Sequence, residues 1–157
     1  MPTSSEVRTA LIAMLQSING VLPYNMNLTA STFSGMEPAT GRPTGQIAYV
    51  WRGRASISRD PDATLAGWIV ERVHALTIYN PPSSQDNADR ETALDIIESD
   101  ILNAVDQALG TGGALANVYV LDVTNIEIVP RFASQPGSQA QPSAVDVLLT
   151  LRYLRGR

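Results

Sequence analysis

Seven carboxylates fall between residues 86 and 106: Asp86, Asp89, Glu91, Asp95, Glu98, Asp100 and Asp106. Acids at this density can hold Mg²⁺ or Ca²⁺, run general acid/base chemistry, or cover the wet side of a helix. The pattern behind Pro81-Pro82 predicts a helix from about 87 to 109, broken by the GTGG that follows. On a wheel at about 100° per residue, Ala93, Leu94, Ile97, Ile101, Ala104, Val105 and Ala108 form the core face. Glu91, Asp95, Glu98 and Asp106 form a stripe along one shoulder, with Leu102 among them. Asp86 and Asp89 belong to the helix start, where acids favour the positive end of the helix dipole, and Asp100 is assigned to the far side. Spacing of i, i+3, i+4 brings Glu91, Asp95 and Glu98 within reach of one another, as a metal would need. Bundle metal sites, however, draw ligands from facing helices, and no second acidic helix is present. A solvated face, or a contact with arginines of another subunit, is therefore preferred to a divalent-metal-dependent enzyme using the 86–98 carboxylates. No metal and no cofactor is expected.

The remaining chemistry is sparse. There is no cysteine, and His74, the single histidine, sits between apolar neighbours as a core or sheet-surface residue would. The TFSGM at 32–36 lacks the G-x-S-x-G of a nucleophile elbow. The GTGG follows a helix instead of opening one, and the GRPTG at 41–45 is no Walker motif. Catalytic residues are expected to be none. Arg52, Arg54 and Arg59 form the nearest thing to a basic patch, with Tyr49 and Trp51 close by for stacking on bases. Alternation along the strand nevertheless puts Tyr49 and Trp51 opposite Arg52, and a net charge of -4 with a pI near 4.8 argues against a broad nucleic-acid face. Ion pairing within or between subunits is the reading taken. All eleven basic residues are arginine, the side chain suited to bidentate pairs, although genomic base composition produces the same bias.

These groups need a scaffold. A chain of 157 residues makes one ordinary domain with a sizeable core, and 44% hydrophobic with 17% charged content is globular. No run approaches the roughly 18 apolar residues of a membrane helix. The opening MPTSSEVRTALIAMLQSI has neither the basic lead nor the apolar block of a secretory signal. A soluble, cytoplasmic start is expected.

Thr3 and Glu6 fit a capping box, and Val7, Leu11, Met14 and Ile18 recur at helical spacing, which predicts a helix over 3–18 stopped by Asn19-Gly20. Residues 19–45 read as a long connection pinned by Leu22, Tyr24, Leu28 and Phe33. Strands are predicted at 46–57, 67–79, 116–130 and 143–154. The second places Trp68, Val70, His74, Leu76 and Ile78 on one parity; the third does so for Val118, Val120, Ile126 and Ile128. The last alternates Val145, Val147, Leu149, Leu151 and Tyr153. The 131–143 segment is polar and contains Pro and Gly. The order α-β-β-α-β-β gives an α+β fold, a mainly antiparallel sheet with two helices packed on one face.

An N-terminal VRTALIAMLQSI helix, a strand pair, a polar break, the acidic ALDIIESDILNAV helix and a closing AVDVLLTLRYL strand form a recognisable whole. The chain resembles the tail terminator, or tail completion, proteins of long-tailed bacteriophages. That resemblance implies a small α+β subunit that closes into a ring, a hexamer, on the finished tail tube. There it would stop tube growth and present a surface to the head connector at the tail-neck junction of the virion, after assembly in the host cytoplasm. Its partners would be copies of itself, the tail tube protein and the connector, with genomic DNA passing the channel unbound. Glu91, Asp95, Glu98, Asp106, Arg52, Arg54 and Arg59 would be inter-subunit or channel-facing charges. The long connections would reach the tube or connector, ordering on docking. A related neck or head-closure subunit shares this element order, and a cellular binding module is the third reading.

Overall fold

Thr3 begins the first helix through the reciprocal bonds its sequence predicts. Its Oγ1 accepts the Glu6 N–H at 3.3 Å while Glu6 Oε2 accepts the Thr3 N–H at 2.5 Å. The helix α1 then spans Ser4–Gln16 and buries Val7, Ala10, Leu11, Met14 and Leu15 along one stripe. In the computed structural model residues 3–29, 32–34, 47–59, 67–79, 90–131 and 144–155 are described. Asp86, Asp89, the side chains of Glu91 and Tyr49, and the segments 35–46, 80–89 and 132–143 lie outside them.

Five strands form one sheet in the order β1-β2-β3-β5-β4: β1 is Thr32–Ser34, β2 Ile47–Arg59, β3 Trp68–Tyr79, β4 Val120–Arg131 and β5 Ala144–Arg155. All neighbours are antiparallel except β1, which runs parallel to β2 along Ala48–Val50. The second helix, α2, is Arg90–Leu109. α1 lies against β1 and β2, and α2 against β4. The α+β order α-β-β-α-β-β with both helices on one face is therefore the observed fold, and β1 is an addition inside the long connection. No helix among the described residues is long and apolar enough to cross a membrane.

Register explains the core. Reading across β2, β3, β5 and β4, Val50, Leu76, Val147 and Ile128 make one row on the helix-covered face, with Ala48, Ile78, Val145 and Pro130 as the next. Val50, Leu76, Val147, Ile78 and Val145 are all fully buried. Each such aliphatic removes apolar surface from water worth about 2 kcal/mol.

Two strands depart from strict alternation. β2 carries a bulge between Arg52 and Ala55, where Gly53 lies so close to β3 that a Cβ would stand 3.2 Å from the Val73 carbonyl oxygen. One extra residue reverses the alternation beyond it, so Ile57 and Arg59 share the face of Val50 and Arg52. In β4, bulges at Val120/Asp122 and Val123/Asn125 bring Val120, Val123 and Ile126 to one face despite mixed parity. That strand also starts later than predicted. Ala116–Val118 is a 3₁₀ turn, and Tyr119 at φ 56° interrupts the extended chain, so Val118 is not part of the ladder. Before it, the turn after α2 packs so tightly that a side chain at Gly113 would overlap the carbonyls of Gln107 and Ala108.

The open face is mixed. Half-buried Trp51 donates its indole N–H to Thr77 Oγ1 at 3.5 Å, and Thr77 donates to Asp146 Oδ1 at 2.7 Å, linking β2, β3 and β5. Ser56, Glu71, Arg152 and Asp122 form a row near one end, in which Arg152 stands between two acids.

Candidate functional site

The acidic stripe is present where its side chains are described. Asp95, Glu98 and Asp106 are exposed on α2, with Leu102 beside them at 44% exposure. They turn away from Ile97, Ile101 and Ala108, which the helix buries. Among the described residues no group of three His, Cys, Asp or Glu is arranged to hold a metal ion.

Asp100 does not lie on the far side. It is fully buried, and its carboxylate receives the Asn25 N–H at 3.1 and 3.0 Å, the Asn25 side-chain amide at 3.3 Å and the Met26 N–H at 2.7 Å. Its wheel position is a shoulder of the core face, roughly 60° from Ile97 and opposite the shoulder of Glu98. The chain after α1 closes over that shoulder. Tyr24 adds a bond from its hydroxyl to Gln107 Oε1 at 3.0 Å, two turns further along α2. A buried carboxylate surrounded by donors is satisfied, so Asp100 is a tether and not a spare acid.

The tethered segment is ordered. Asn19 bridges Asn27, Leu28 N–H donates to the Ile18 carbonyl at 2.8 Å, and Tyr24 N–H donates to the Val21 carbonyl at 2.9 Å, closing a turn. Tyr24, Met26 and Leu28 are buried. Leu22, expected to pin the connection, is instead 90% exposed at the tip of that turn. A turn points its middle residues outward, and alternation past Pro23 buries every second residue only from Tyr24 on.

The arginines lie along the half of the sheet that runs from the middle of β2, at Arg52, to the end where β2 finishes and β3 begins. On the helix-side face Arg52 stands opposite His74, Arg72 lies between Ala55 and Leu151, and Trp68 lies between Arg59 and Arg155. The Arg59 guanidinium sits over the Trp68 ring, 5.1 Å from its centroid. The bulge is what puts Arg59 on the same face as Arg52. Arg54 is exposed at the bulge itself. Arg52 and Arg59 are exposed, while Arg72 is half-buried and directs its Nε–H to the Tyr153 hydroxyl at 3.3 Å. Among the described residues no carboxylate faces these arginines in the ladder.

His74 lies beneath them. It is fully buried, and neither ring nitrogen has a hydrogen-bond partner among the described residues. Burial first, then the charge of Arg72, opposed by a weak contact with the Arg72 backbone and helped by smaller contributions from Arg8 of α1 and from Arg52, lowers its pKa to about 4. The ring is therefore neutral at pH 7. Arg72 shares the strand parity of His74 but was not named there from the sequence; the involvement of Arg8 and the pairing with Arg52 need the register and the helix position, which no local pattern carries.

The surface thus offers two separate charged regions, an acidic flank on α2 and a basic end on the sheet. No protein-family model matches the chain, and no curated protein is similar to it. Among solved structures, a chain of "Virion of native gene transfer agent (GTA) particle" is similar over 94% of this chain and 90% of that chain, at 15% identity and a TM-score of 0.39. A likeness at this level bears on neither fold nor function.

Proposed function

We propose that the protein is a structural virion subunit that joins copies of itself head to tail into a ring. In this reading the ring caps the tail tube of a long-tailed phage, ends tube growth and offers a surface to the head connector. The observation that carries it is the separation of charge. Asp95, Glu98 and Asp106 occupy one flank, while Arg52, Arg59 and Arg72 line one face of β2 and β3 with Arg8 on the adjoining helix α1, and among the described residues no ladder carboxylate neutralises them. Two unlike, complementary patches on one chain favour a heterologous contact, and such a contact closes into a ring when its rotation closes. The tail-terminator role and the six-fold size rest on the resemblance of the element order to that family.

Electron microscopy of intact particles tests this reading. A six-fold ring of this chain at the tail-neck junction is expected; its absence from particles ends the proposal, and a position on the head side of the neck replaces the terminator by a neck subunit. Calorimetric titration with Mg²⁺, Mn²⁺ and Ca²⁺ tests the competing enzyme. No saturable heat is expected, and specific binding lost in Asp95→Ala would favour metal chemistry.

A further inference from the structure

We propose that Arg8, Arg52 and Arg72 form a carboxylate socket over His74, and that its occupant is Asp95 or Glu98 from the α2 helix of a second copy of this chain. The inference rests on the head-to-tail reading and names the contact that would join neighbours.

Geometry brings the parts together. Arg52 and His74 are direct ladder partners, Arg72 precedes His74 by two residues on the same strand face, and Arg8 comes from α1, which lies against β2. On the remaining side β5 presents Leu149, and among the described residues the charges that act on the ring are those of Arg72, Arg8 and Arg52. Arg72 is already oriented by Tyr153. Guanidiniums gathered without a carboxylate repel one another, and a planar carboxylate can satisfy them bidentately. His74 supplies the second, independent sign of a missing partner. A fully buried imidazole whose nitrogens make no well-formed hydrogen bond among the described residues, and which has at most a weak contact with the Arg72 backbone, carries a desolvation cost that most buried polar groups avoid by bonding.

Exposure and charge favour a second copy as the source of that carboxylate. Asp95 and Glu98 are exposed, on a helix, and project from the shoulder opposite Asp100, clear of the tethered 19–29 segment. The chain carries net charge -4, which disfavours a phosphate backbone as the alternative occupant. A carboxylate entering the socket would offset the arginine charge and make protonation of His74 easier.

The sole histidine of the chain is its own reporter. One full-length copy carries Asp95→Asn and Glu98→Gln with the socket intact; a second carries Arg8→Gln and Arg52→Gln with the stripe intact. Arg72 is kept because it bonds Tyr153. Imidazole nitrogen resonances of the first copy are followed by NMR while the second is added. The resonances are expected to move, and the His74 midpoint to rise by about one pH unit or more, as an opposite charge at close range produces. A copy with both sets neutralised should leave them still.

If they do not respond to the stripe-bearing copy, the socket is wrong. If a double-stranded DNA oligonucleotide moves them and the stripe does not, the occupant is a phosphate and the proposal is overturned. The ring is judged separately in particles: a six-fold ring with an unmoved His74 sinks the socket and spares the ring, and the converse spares the socket.

Discussion

The carboxylate of Asp100 accepts the backbone N–H of Met26 at 2.7 Å, across 74 residues of chain, with both groups buried. It also holds the Asn25 N–H, so one side chain fastens the segment after α1 to the middle of α2. Asp100→Ala strands two backbone donors and is expected to cost about 3 kcal/mol. Urea denaturation measures that loss, and amide exchange should show Met26 and Asn25 opening first. Asp100→Asn, which keeps an acceptor, should lose less.

The same segment separates exposed from buried aliphatics. Leu22→Ser should change stability by less than about 0.5 kcal/mol, as substitutions at exposed sites do. Met26→Ala should cost about 2 to 5 kcal/mol, since Met26 is fully enclosed. Thermal melting of the two variants gives the comparison directly.

His74 predicts an acid sensitivity with a defined window. Its folded-state pKa is lowered to about 4 from an ordinary 6.5. Between these values the unfolded chain binds a proton that the folded chain does not. Stability therefore falls as pH drops from about 6.5 to about 4, and this contribution stops falling below that. The full window amounts to about 3 kcal/mol. In His74→Leu the difference in unfolding free energy between pH 7 and pH 4 should shrink by about that amount, read from denaturant curves at both values.

Gly113→Ala places a methyl group against the Gln107 and Ala108 carbonyls at the end of α2. Backbone must move to admit it, at a cost of about 1 to 3 kcal/mol. Gly112→Ala meets no neighbour, but Gly112 has a φ of 79°, so its strain is local. Circular dichroism melts should show both variants destabilised, Gly113→Ala the more.

Local pattern carried much of this molecule. The capping box, the core stripe of α2 and the alternation of β5 are short-range signals, and the strands they predict at 67–79 and 143–154 agree with Trp68–Tyr79 and Ala144–Arg155 to within a residue. Asp100 was misplaced because a wheel describes one helix in isolation. A shoulder residue is exposed or buried according to what else arrives there, and here Asn25 and Met26 arrive from a distant part of the chain. Bulges were likewise invisible, since alternation is a statement about one strand while a bulge is defined against its partner. The stripe of Asp95, Glu98 and Asp106 was legible because nothing among the described residues covers it. The basic end was only half legible: Arg52 and Arg59 were named, but their shared face, and the company of Arg72, Arg8 and His74, follow from register.

The bulge at Gly53 and Arg54 makes the charge pattern of this subunit a matter of phase. Every side chain from Ala55 to Arg59 faces as it does because one residue has been slipped into the strand ahead of it. Straightening the bulge with both residues kept would alter no charge and no composition, yet it would slip the rest of β2 by one place, pair Ser58 with Trp68 and send Arg59 to the opposite face. A slip of β2 by one position is therefore a more drastic edit than replacing any single arginine, and drift in this strand is constrained by counting as well as by chemistry.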